Sequence, residues 1–246
     1  PWLGWVDGTC PYCTSGRENL CVAARFTGLH LHGGFAERTV ADARFCLPLP
    51  DGPAAAELAP LLCGGVIGYR ALRLTGERAE RLGLYGFGSA AHLLAQIALR
   101  EGRQVYAFTR AAGDAASRLA AELGVTWVGA SGEAPPVPLD AAIIFAAAGE
   151  LVPLALRALA PGGTVVCAGI HMTDIPGFPY ADLWEERSIR SVANLTREDG
   201  RHLLEVVAGA PVDVRATTYR LEDTEQMLAD LRAGAFTGSS VVTLGA

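Results

Sequence analysis

Four residues near the start of the chain have the types and the spacing of a metal site. Asp7, Cys10, Cys13 and Cys21 are separated by two, two and seven residues. Three thiolates and one carboxylate can close a tetrahedral zinc site, and the short intervals let one loop supply all four ligands. Cysteine is the usual residue at each place in this spacing, so Asp7 indicates either one oxygen ligand or a site that has lost its metal. We favour bound zinc, because packing alone would not require three cysteines at fixed intervals.

A second pattern, G-x-G-x-x-A, is formed by Gly86, Gly88 and Ala91 between a predicted strand at 81–85 and a predicted helix at 89–100. In a nucleotide-binding unit, the first glycine permits a tight turn, the second lets the backbone approach a pyrophosphate, and the alanine lets the helix pack closely on the strand. The helix N-terminus adds N–H groups and partial positive charge. The bare pattern also fits an ordinary glycine turn, but its place between strand and helix favours dinucleotide binding.

The residue that contacts the adenosine ribose is expected about 20 residues beyond the glycine turn, at the end of the next strand. Here the sequence reads Thr109-Arg110. An acid would bind a 2′-hydroxyl and repel a 2′-phosphate, whereas Thr109 is uncharged and Arg110 can pair with a phosphate. The pair therefore predicts NADP in preference to NAD. The alternative is that Arg110 is an ordinary solvated loop residue.

Cys63 lies where the first part of the chain passes into the dinucleotide-binding part. Substrates and cofactors often meet between domains, which makes Cys63 a candidate ligand of a catalytic zinc. The local sequence alone favours a small buried residue of a packed helix. Cys46 and Cys167 lie in apolar, strand-like runs and are predicted to be core residues. The five histidines are dispersed and none has a metal-ligand partner at helical spacing.

The elements that must position these residues change in character along the chain. Residues 1–62 are rich in glycine, cysteine and short alternating runs, such as 34–40, which favour short antiparallel strands. Residues 63–198 alternate between strand and helix patterns, which predicts a doubly wound parallel sheet. Residues 199–246 form a tail that is predicted to return to the β-rich part. The predicted strands of the middle segment are 81–85, 104–108, 126–128, 141–145 and 164–168, and its helices are 89–100, 115–123 and 151–160.

The composition narrows the class of partner. The net charge is −6 with a pI near 5.4, and the arginines are scattered among acids, so the basic stripe of a nucleic-acid-binding protein is lacking. The longest apolar runs are far shorter than the roughly 20 residues of a membrane helix. Half of the cysteines are at metal-ligand spacing, which suits reduced cytosolic thiols. We therefore expect a cytoplasmic protein whose partners are small molecules, with neither nucleic acid nor membrane among them.

Taken together, these motifs resemble the zinc-dependent alcohol dehydrogenases of bacterial type within the medium-chain dehydrogenase/reductase superfamily. The resemblance runs from end to end, and the order and spacing of the motifs are those of the family. The matching segments are the cysteine loop at 8–21, the glycine turn at 33–37, the run at 61–69, the fingerprint at 86–91 and the strand at 161–169.

The resemblance implies a Rossmann domain joined to part of a β-rich GroES-like catalytic domain. It implies hydride transfer between an alcohol or aldehyde and a nicotinamide, in a protein that forms a homo-oligomer when complete. It makes Cys63 the third protein ligand of a catalytic zinc and places Ile67 beside the nicotinamide. Gly169, Ile170 and His171 would form the loop whose backbone meets the carboxamide.

Three departures from the family pattern leave alternatives open. Asp7 replaces the first structural cysteine, and Thr109 replaces the acid typical of members that prefer NAD. The family's N-terminal segment, with its first catalytic cysteine and its His-Glu pair, has no counterpart here, and the chain opens directly in an apolar run. We therefore expect the chain as given to be incomplete and inactive. The rival hypotheses are a zinc-free quinone or enone reductase of the same superfamily and a non-catalytic nucleotide-binding fragment.

Overall fold

The computed structural model describes residues 2–244, and these fall into two compact units. One unit contains the residues up to Ile67 together with those from Ala193 onward, and the other is Gly68–Val192. The strands are β1 (Leu3–Trp5), β2 (Arg25–Phe26), β3 (Arg81–Tyr85), β4 (Gln104–Thr109), β5 (Trp127–Ala130), β6 (Leu139–Ile144), β7 (Leu159–Cys167), β8 (Ser188–Ser191), β9 (Ala216–Arg220) and β10 (Ser239–Thr243). The α-helices are α1 (Pro11–Thr14), α2 (Ala55–Leu58), α3 (Gly64–Leu74), α4 (Ser89–Arg100), α5 (Ala115–Glu122), α6 (Leu151–Arg157), α7 (Tyr180–Leu183), α8 (Arg197–Gly209) and α9 (Thr224–Ala233).

The unit Gly68–Val192 is built on a parallel sheet of six strands in the order β5-β4-β3-β6-β7-β8. The chain begins in the middle with β3, runs outward through β4 and β5, and then crosses to β6 on the other side. The strand order therefore reverses between β3 and β6. In open α/β sheets, ligands bind outside the carboxyl ends of the strands at this reversal.

Aromatic and aliphatic side chains on the sheet form the core of this unit. The rings of Tyr85 and Phe108, on neighbouring strands, stack with centroids 4.0 Å apart, and Trp127 meets Phe108 edge-on at 5.1 Å. All eight residues from Ala91 to Ala98 of α4 are buried, which explains the run of alanine and leucine in that helix. The start of β3 is fixed by a polar contact, because Asp140 accepts hydrogen bonds from the backbone and guanidinium of Arg81.

The other unit combines short strands with helices from both ends of the chain. Strands β1 and β2 pair in antiparallel orientation, and β9 and β10 pair in parallel. Helix α8 begins with a capping box, in which Thr196 Oγ1 accepts from the N–H of Asp199 and the Asp199 carboxylate accepts from the N–H of Thr196. The amide of Asn19 donates to the carbonyl of Ala193 at 2.7 Å, which ties the cysteine loop to the segment before α8.

The predicted class, a doubly wound parallel sheet beside a β-rich part, is confirmed, but three details of the sequence analysis are wrong. No strand forms at 34–40, where every residue is exposed, because an alternating pattern needs a partner strand and none lies beside it within residues 2–244. Strand β8 was not predicted, since Ser188-Ile189-Arg190-Ser191 is short, polar and at the sheet edge. Cys46 is exposed and not a core residue. Within the same described range, no helix has the length and apolarity to cross a membrane.

Candidate metal cluster and dinucleotide site

The loop that carries the cysteines brings its four candidate ligands together. Helix α1 is a single turn whose N-cap is Cys10 and whose first residue is Pro11, so Cys10 and Cys13 lie on one side of that turn. Cys21 follows a 3-10 helix at Glu18–Leu20. One ligand atom from each of Asp7, Cys10, Cys13 and Cys21 lies within 4.8 Å of all the others. Tetrahedral zinc with bonds near 2.3 Å requires ligand atoms about 3.8 Å apart, so the cluster has nearly the size of such a site.

The charges of this cluster suit a cation. The backbone N–H groups of Thr9 and Cys10 both donate to Asp7 Oδ1, at 2.7 and 2.9 Å. Hydrogen bonds from Cys10 and Thr9 lower the pKa of the Asp7 carboxyl to about 2. Desolvation raises the pKa of Cys13 to about 12, whereas the backbone N–H of Cys13 lowers the pKa of Cys10. The sulfurs around an ionised carboxylate cannot all become thiolates unless a positive ion offsets their mutual repulsion.

An ion pair links this loop to helix α8. Glu18 accepts from the Arg197 guanidinium, with Nη2–Oε2 at 2.5 Å and Nε–Oε1 at 3.0 Å, and from the Arg197 backbone N–H at 2.8 Å. Burial on its own would raise the pKa of Glu18. The hydrogen bonds and charge of Arg197 outweigh that effect, so the pKa of Glu18 is lowered. The guanidinium also lies 4.7 Å from the ring centroid of Phe45. No local sequence signal pointed to this pair, because its members are 179 residues apart.

The glycine turn lies at the reversal of strand order, where a dinucleotide would bind. Gly86 follows β3 with φ of +86°, and a β-carbon there would lie 3.0 Å from both Cβ and N of Ala146, which follows β6. Gly88 is the N-cap of α4, and a β-carbon on it would meet nothing within 4 Å. Ala91 is fully buried in the first turn of α4. The turn therefore needs glycine at Gly86 for its fold, and the space that a side chain at Gly88 would occupy is open.

Thr109 and Arg110, the two residues predicted to contact the ribose, differ in their exposure to solvent. Thr109 is only 1% exposed, and its hydroxyl hydrogen-bonds Ser117 Oγ at 2.8 Å and the carbonyl of Ala111 at 3.2 Å. The Thr109 hydroxyl is therefore used inside the protein, and the contact of this residue with the cofactor stays a prediction. Arg110 is exposed, and its guanidinium has no ion-pair or hydrogen-bond partner among residues 2–244. Asp114, which caps α5 through the N–H of Ser117, completes a turn that was not predicted from the sequence.

The loop after β7 contains the three residues that the family resemblance assigns to the nicotinamide carboxamide. Gly169 is in close contact with the loop after β6, since a β-carbon on it would lie 2.7 Å from the carbonyl oxygen of Ala146. Ile170 is 69% exposed, and His171 is exposed with φ of +54°. The structure therefore places this loop beside the turn after β6, at the same end of the sheet as Gly86.

Cys63 and Ile67 lie at the start of α3. Cys63 precedes the helix and is exposed, although the protein atoms around its sulfur exclude enough water to raise the pKa of the thiol. Ile67 is half-buried, and its N–H donates to the carbonyl of Cys63 at 3.1 Å. The described residues bring three or more candidate ligands together only at the Asp7 cluster, so Cys63 has no companion ligands among them. A catalytic zinc needs three protein ligands, and its assignment to Cys63 rests on the family resemblance alone.

Comparison with known proteins agrees with this arrangement. Residues 2–51 match the family model described as "Alcohol dehydrogenase GroES-like domain". A protein from Mycobacterium tuberculosis named "Probable alcohol dehydrogenase AdhA" is 46% identical over 99% of this chain and 70% of its own length. An acetophenone reductase from Geotrichum candidum, solved in complex with NAD, matches with a TM-score of 0.88 at 23% identity, over 98% of this chain and 72% of that one. The protein CAD from Helicobacter pylori, solved with NADP(H), matches with a TM-score of 0.85 at 18% identity, over the same shares.

The two solved structures are similar to this chain in fold, and the relative from M. tuberculosis is similar in sequence over nearly the whole of it. The cysteine loop lies inside the segment that the GroES-like model matches, and the glycine turn lies at the switch point of the sheet. This chain belongs to the alcohol dehydrogenase family of the medium-chain dehydrogenase/reductase superfamily.

Proposed function

We propose that the protein transfers a hydride between an alcohol or aldehyde and a nicotinamide cofactor, with NADP preferred to NAD, and that it holds a structural zinc ion. The observation that carries the cofactor assignment is the Gly86–Gly88 turn at the strand-order reversal, with open space in front of Gly88. The pyrophosphate would bind to the first turn of α4, where backbone N–H groups and the helix dipole favour negative charge. The substrate would be a small alcohol or aldehyde, and the protein would work in the cytoplasm as a homo-oligomer.

NADP is the cofactor that the exposed cation at the end of β4 favours. Arg110 follows the buried Thr109, and the turn closed by Asp114 and Ser117 gives the loop a fixed conformation. A guanidinium can bind a 2′-phosphate through two parallel hydrogen bonds. The structurally similar proteins include one solved with NAD and one with NADP(H), so Arg110 alone supports this preference.

The residues of the cysteine loop fit a zinc ion. Asp7, Cys10, Cys13 and Cys21 would hold it, and the Thr9 and Cys10 N–H groups orient the carboxylate. A zinc ion bound there supplies folding energy and no chemistry, since all four positions are filled by protein ligands. For a catalytic zinc the described residues offer only Cys63, which does not make a site, and we derive no step of the reaction from such an ion. The zinc cluster nevertheless favours an alcohol dehydrogenase over a zinc-free reductase.

What this chain contributes to the reaction is binding and orientation of the cofactor. Hydride transfer requires the carbon that donates the hydride and the carbon that accepts it to be held in contact and aligned. The Gly88 turn would bind the pyrophosphate of the cofactor. Arg110 would bind its adenosine end, and the loop at 169–171 would bind its nicotinamide end. The nicotinamide itself supplies the hydride chemistry.

Isotope transfer tests this function on the protein as the cell makes it. The protein is incubated with NADP and a primary alcohol deuterated at its carbinol carbon, and the recovered NADPH is examined by mass spectrometry. We expect one deuterium on the nicotinamide ring and the matching aldehyde as product. Unlabelled NADPH, or none at all with a panel of short-chain, aromatic and branched alcohols, would contradict the proposal.

A further inference from the structure

The loop after β7 is held at three points, all within the unit Gly68–Val192: at the end of β6, in the core and at the loop after β6. The N–H of Gly169 donates to the carbonyl of Ile144 at 3.0 Å. The side chain of Met172 packs against the buried core of the unit. The N–H of Gly149 donates to Thr173 Oγ1 at 2.8 Å. These contacts hold residues 169–173 at both ends and in between.

The backbone of Gly149 lies directly against the backbone of Thr173 and Asp174. A β-carbon on Gly149 would lie 2.2 Å from the carbonyl oxygen of Asp174 and 2.5 Å from that of Thr173, so only glycine lets the two backbones approach so closely. The Thr173 hydroxyl also lies 3.4 Å from Glu150 Oε2. Donation of its proton to this carboxylate leaves an oxygen lone pair directed at the Gly149 N–H.

The segment held by these contacts is the one that contains Ile170 and His171. Ile170 exposes a large apolar side chain, and His171 has a left-handed backbone conformation, which costs free energy for a residue with a β-carbon. Such a conformation persists when the surrounding structure fixes it. The bonds of Gly169 and Thr173, on either side of the two residues, provide that constraint.

We infer that Thr173 is a positioning residue for the nicotinamide. By accepting the Gly149 N–H, its hydroxyl fixes the backbone of Ile170 and His171 in the conformation that receives the nicotinamide ring. The inference rests on the proposed function, because it takes this loop as the place where the nicotinamide binds. Thr173 need not touch the cofactor, and it acts through the loop that it holds.

Thr173→Val and Thr173→Ser separate this role from a general effect on the fold. Valine has nearly the same shape but cannot accept the Gly149 N–H, whereas serine keeps the hydroxyl. The dissociation constants of NADPH and of adenosine 2′,5′-bisphosphate, which lacks the nicotinamide, are measured for each variant. We expect Thr173→Val to raise the dissociation constant of NADPH about tenfold, which corresponds to the loss of one hydrogen bond to a buried donor. The dissociation constant of the bisphosphate should stay unchanged. Thr173→Ser should behave as wild type.

The fluorescence of bound NADPH gives a second readout, because its emission reports the surroundings of the reduced nicotinamide. Thr173→Val should shift this emission towards that of the cofactor in water, and Thr173→Ser should not. If Thr173→Val fails to fold, Thr173→Ala is the substitute, since it also lacks the hydroxyl that accepts the Gly149 N–H. Equal weakening of both ligands, or wild-type NADPH affinity in a folded Thr173→Val, overturns the inference. Failure of the wild type to bind NADPH contradicts the proposed function instead, and this inference with it.

Discussion

Glu18 in the cysteine loop and Arg197 at the start of α8 are joined by side-chain and backbone hydrogen bonds at once. The Arg197 guanidinium reaches both carboxylate oxygens, and the backbone N–H of Arg197 donates to Oε1 at 2.8 Å. The Glu18 carboxylate therefore forms an ion pair with the Arg197 guanidinium and also accepts a hydrogen bond from a backbone N–H in the first turn of α8. The cysteine loop and the C-terminal segment are held together at this point.

Loss of this carboxylate should destabilise the fold. We expect Glu18→Gln to lower the free energy of unfolding by about 1–3 kcal/mol, which is the range for a buried hydrogen bond to a charged group. The side chain of Glu18 is 10% exposed and that of Arg197 is 30% exposed, so the effect should fall below the cost of breaking a fully buried pair. Denaturant unfolding measures it. The control is Glu77→Gln, which removes the exposed pair of Glu77 with Arg73 and should cost about 0.5 kcal/mol or less. Equal losses of stability in the two variants would show that the contact of Glu18 with α8 contributes no more than an exposed ion pair.

The same pair predicts a pH dependence. Because the folded protein lowers the pKa of Glu18, the ionised carboxylate stabilises the fold at pH values above the unfolded pKa, near 4.3. That contribution is lost as the pH falls through the folded pKa. The difference in unfolding free energy between wild type and Glu18→Gln should therefore be largest near neutral pH and shrink in acid. A difference that stays constant from neutral to acid pH would contradict the assignment of the pKa shift.

The cysteine loop should retain about one zinc ion per chain, and chelation should lower the melting temperature because binding energy at such a site is folding energy. Cys13→Ser should reduce the zinc content measured by elemental analysis. Cys46→Ser is the matched control, since Cys46 is exposed and lies outside the cluster. Asp7→Cys should raise the amount of zinc that the protein retains if the Asp7 carboxylate is the weakest of the four ligands. A folded and reduced wild type without metal would end the proposal of a structural zinc.

Replacement of Arg110 should change the choice of cofactor. Arg110→Ala is expected to weaken NADPH binding by about 1.5–3 kcal/mol, the size of a hydrogen bond to a charged group, and to leave NADH nearly unchanged. Calorimetric titration of both cofactors measures the difference. Arg232 is an exposed arginine on α9 in the other unit, and Arg232→Ala should change the binding of neither cofactor. An equal loss for both cofactors would mean that Arg110 serves the pyrophosphate or the fold.

Elements with strong periodicity or clear end signals could be predicted from the sequence. The bounds of β3 and α4 agree with the prediction, because a buried apolar strand, a glycine turn and an apolar helix follow one another directly. Helix α8 begins directly after Thr196, whose capping box with Asp199 is an end signal that can be read from the sequence. The strand at 34–40 was wrong, because alternation in sequence describes one face of a strand and does not supply a partner.

The residues of the candidate site were predictable where one loop supplies them. The four ligands of the cysteine cluster are local in sequence, and spacing alone brings their atoms together. The burial of Thr109 was not predictable, because it depends on Ser117 one helical turn into α5. The contact of Gly149 with Thr173 joins the loops that follow two parallel strands, β6 and β7, and its 24-residue separation leaves no local pattern.

Dinucleotide binding at the glycine turn is tested most directly by titration of NADPH into wild type, Gly88→Ala and Gly86→Ala, with the melting temperature of each. A methyl group on Gly88 meets no protein atom within 4 Å, so Gly88→Ala should fold normally but obstruct the pyrophosphate. Gly86 has a positive φ and lies against Ala146, so Gly86→Ala should lose stability as well as binding. We expect saturable binding to wild type and at least tenfold weaker binding to a Gly88→Ala protein of unchanged melting temperature, roughly the cost of one lost backbone–phosphate hydrogen bond. Equal affinity of wild type and Gly88→Ala, or no binding by wild type, would contradict it.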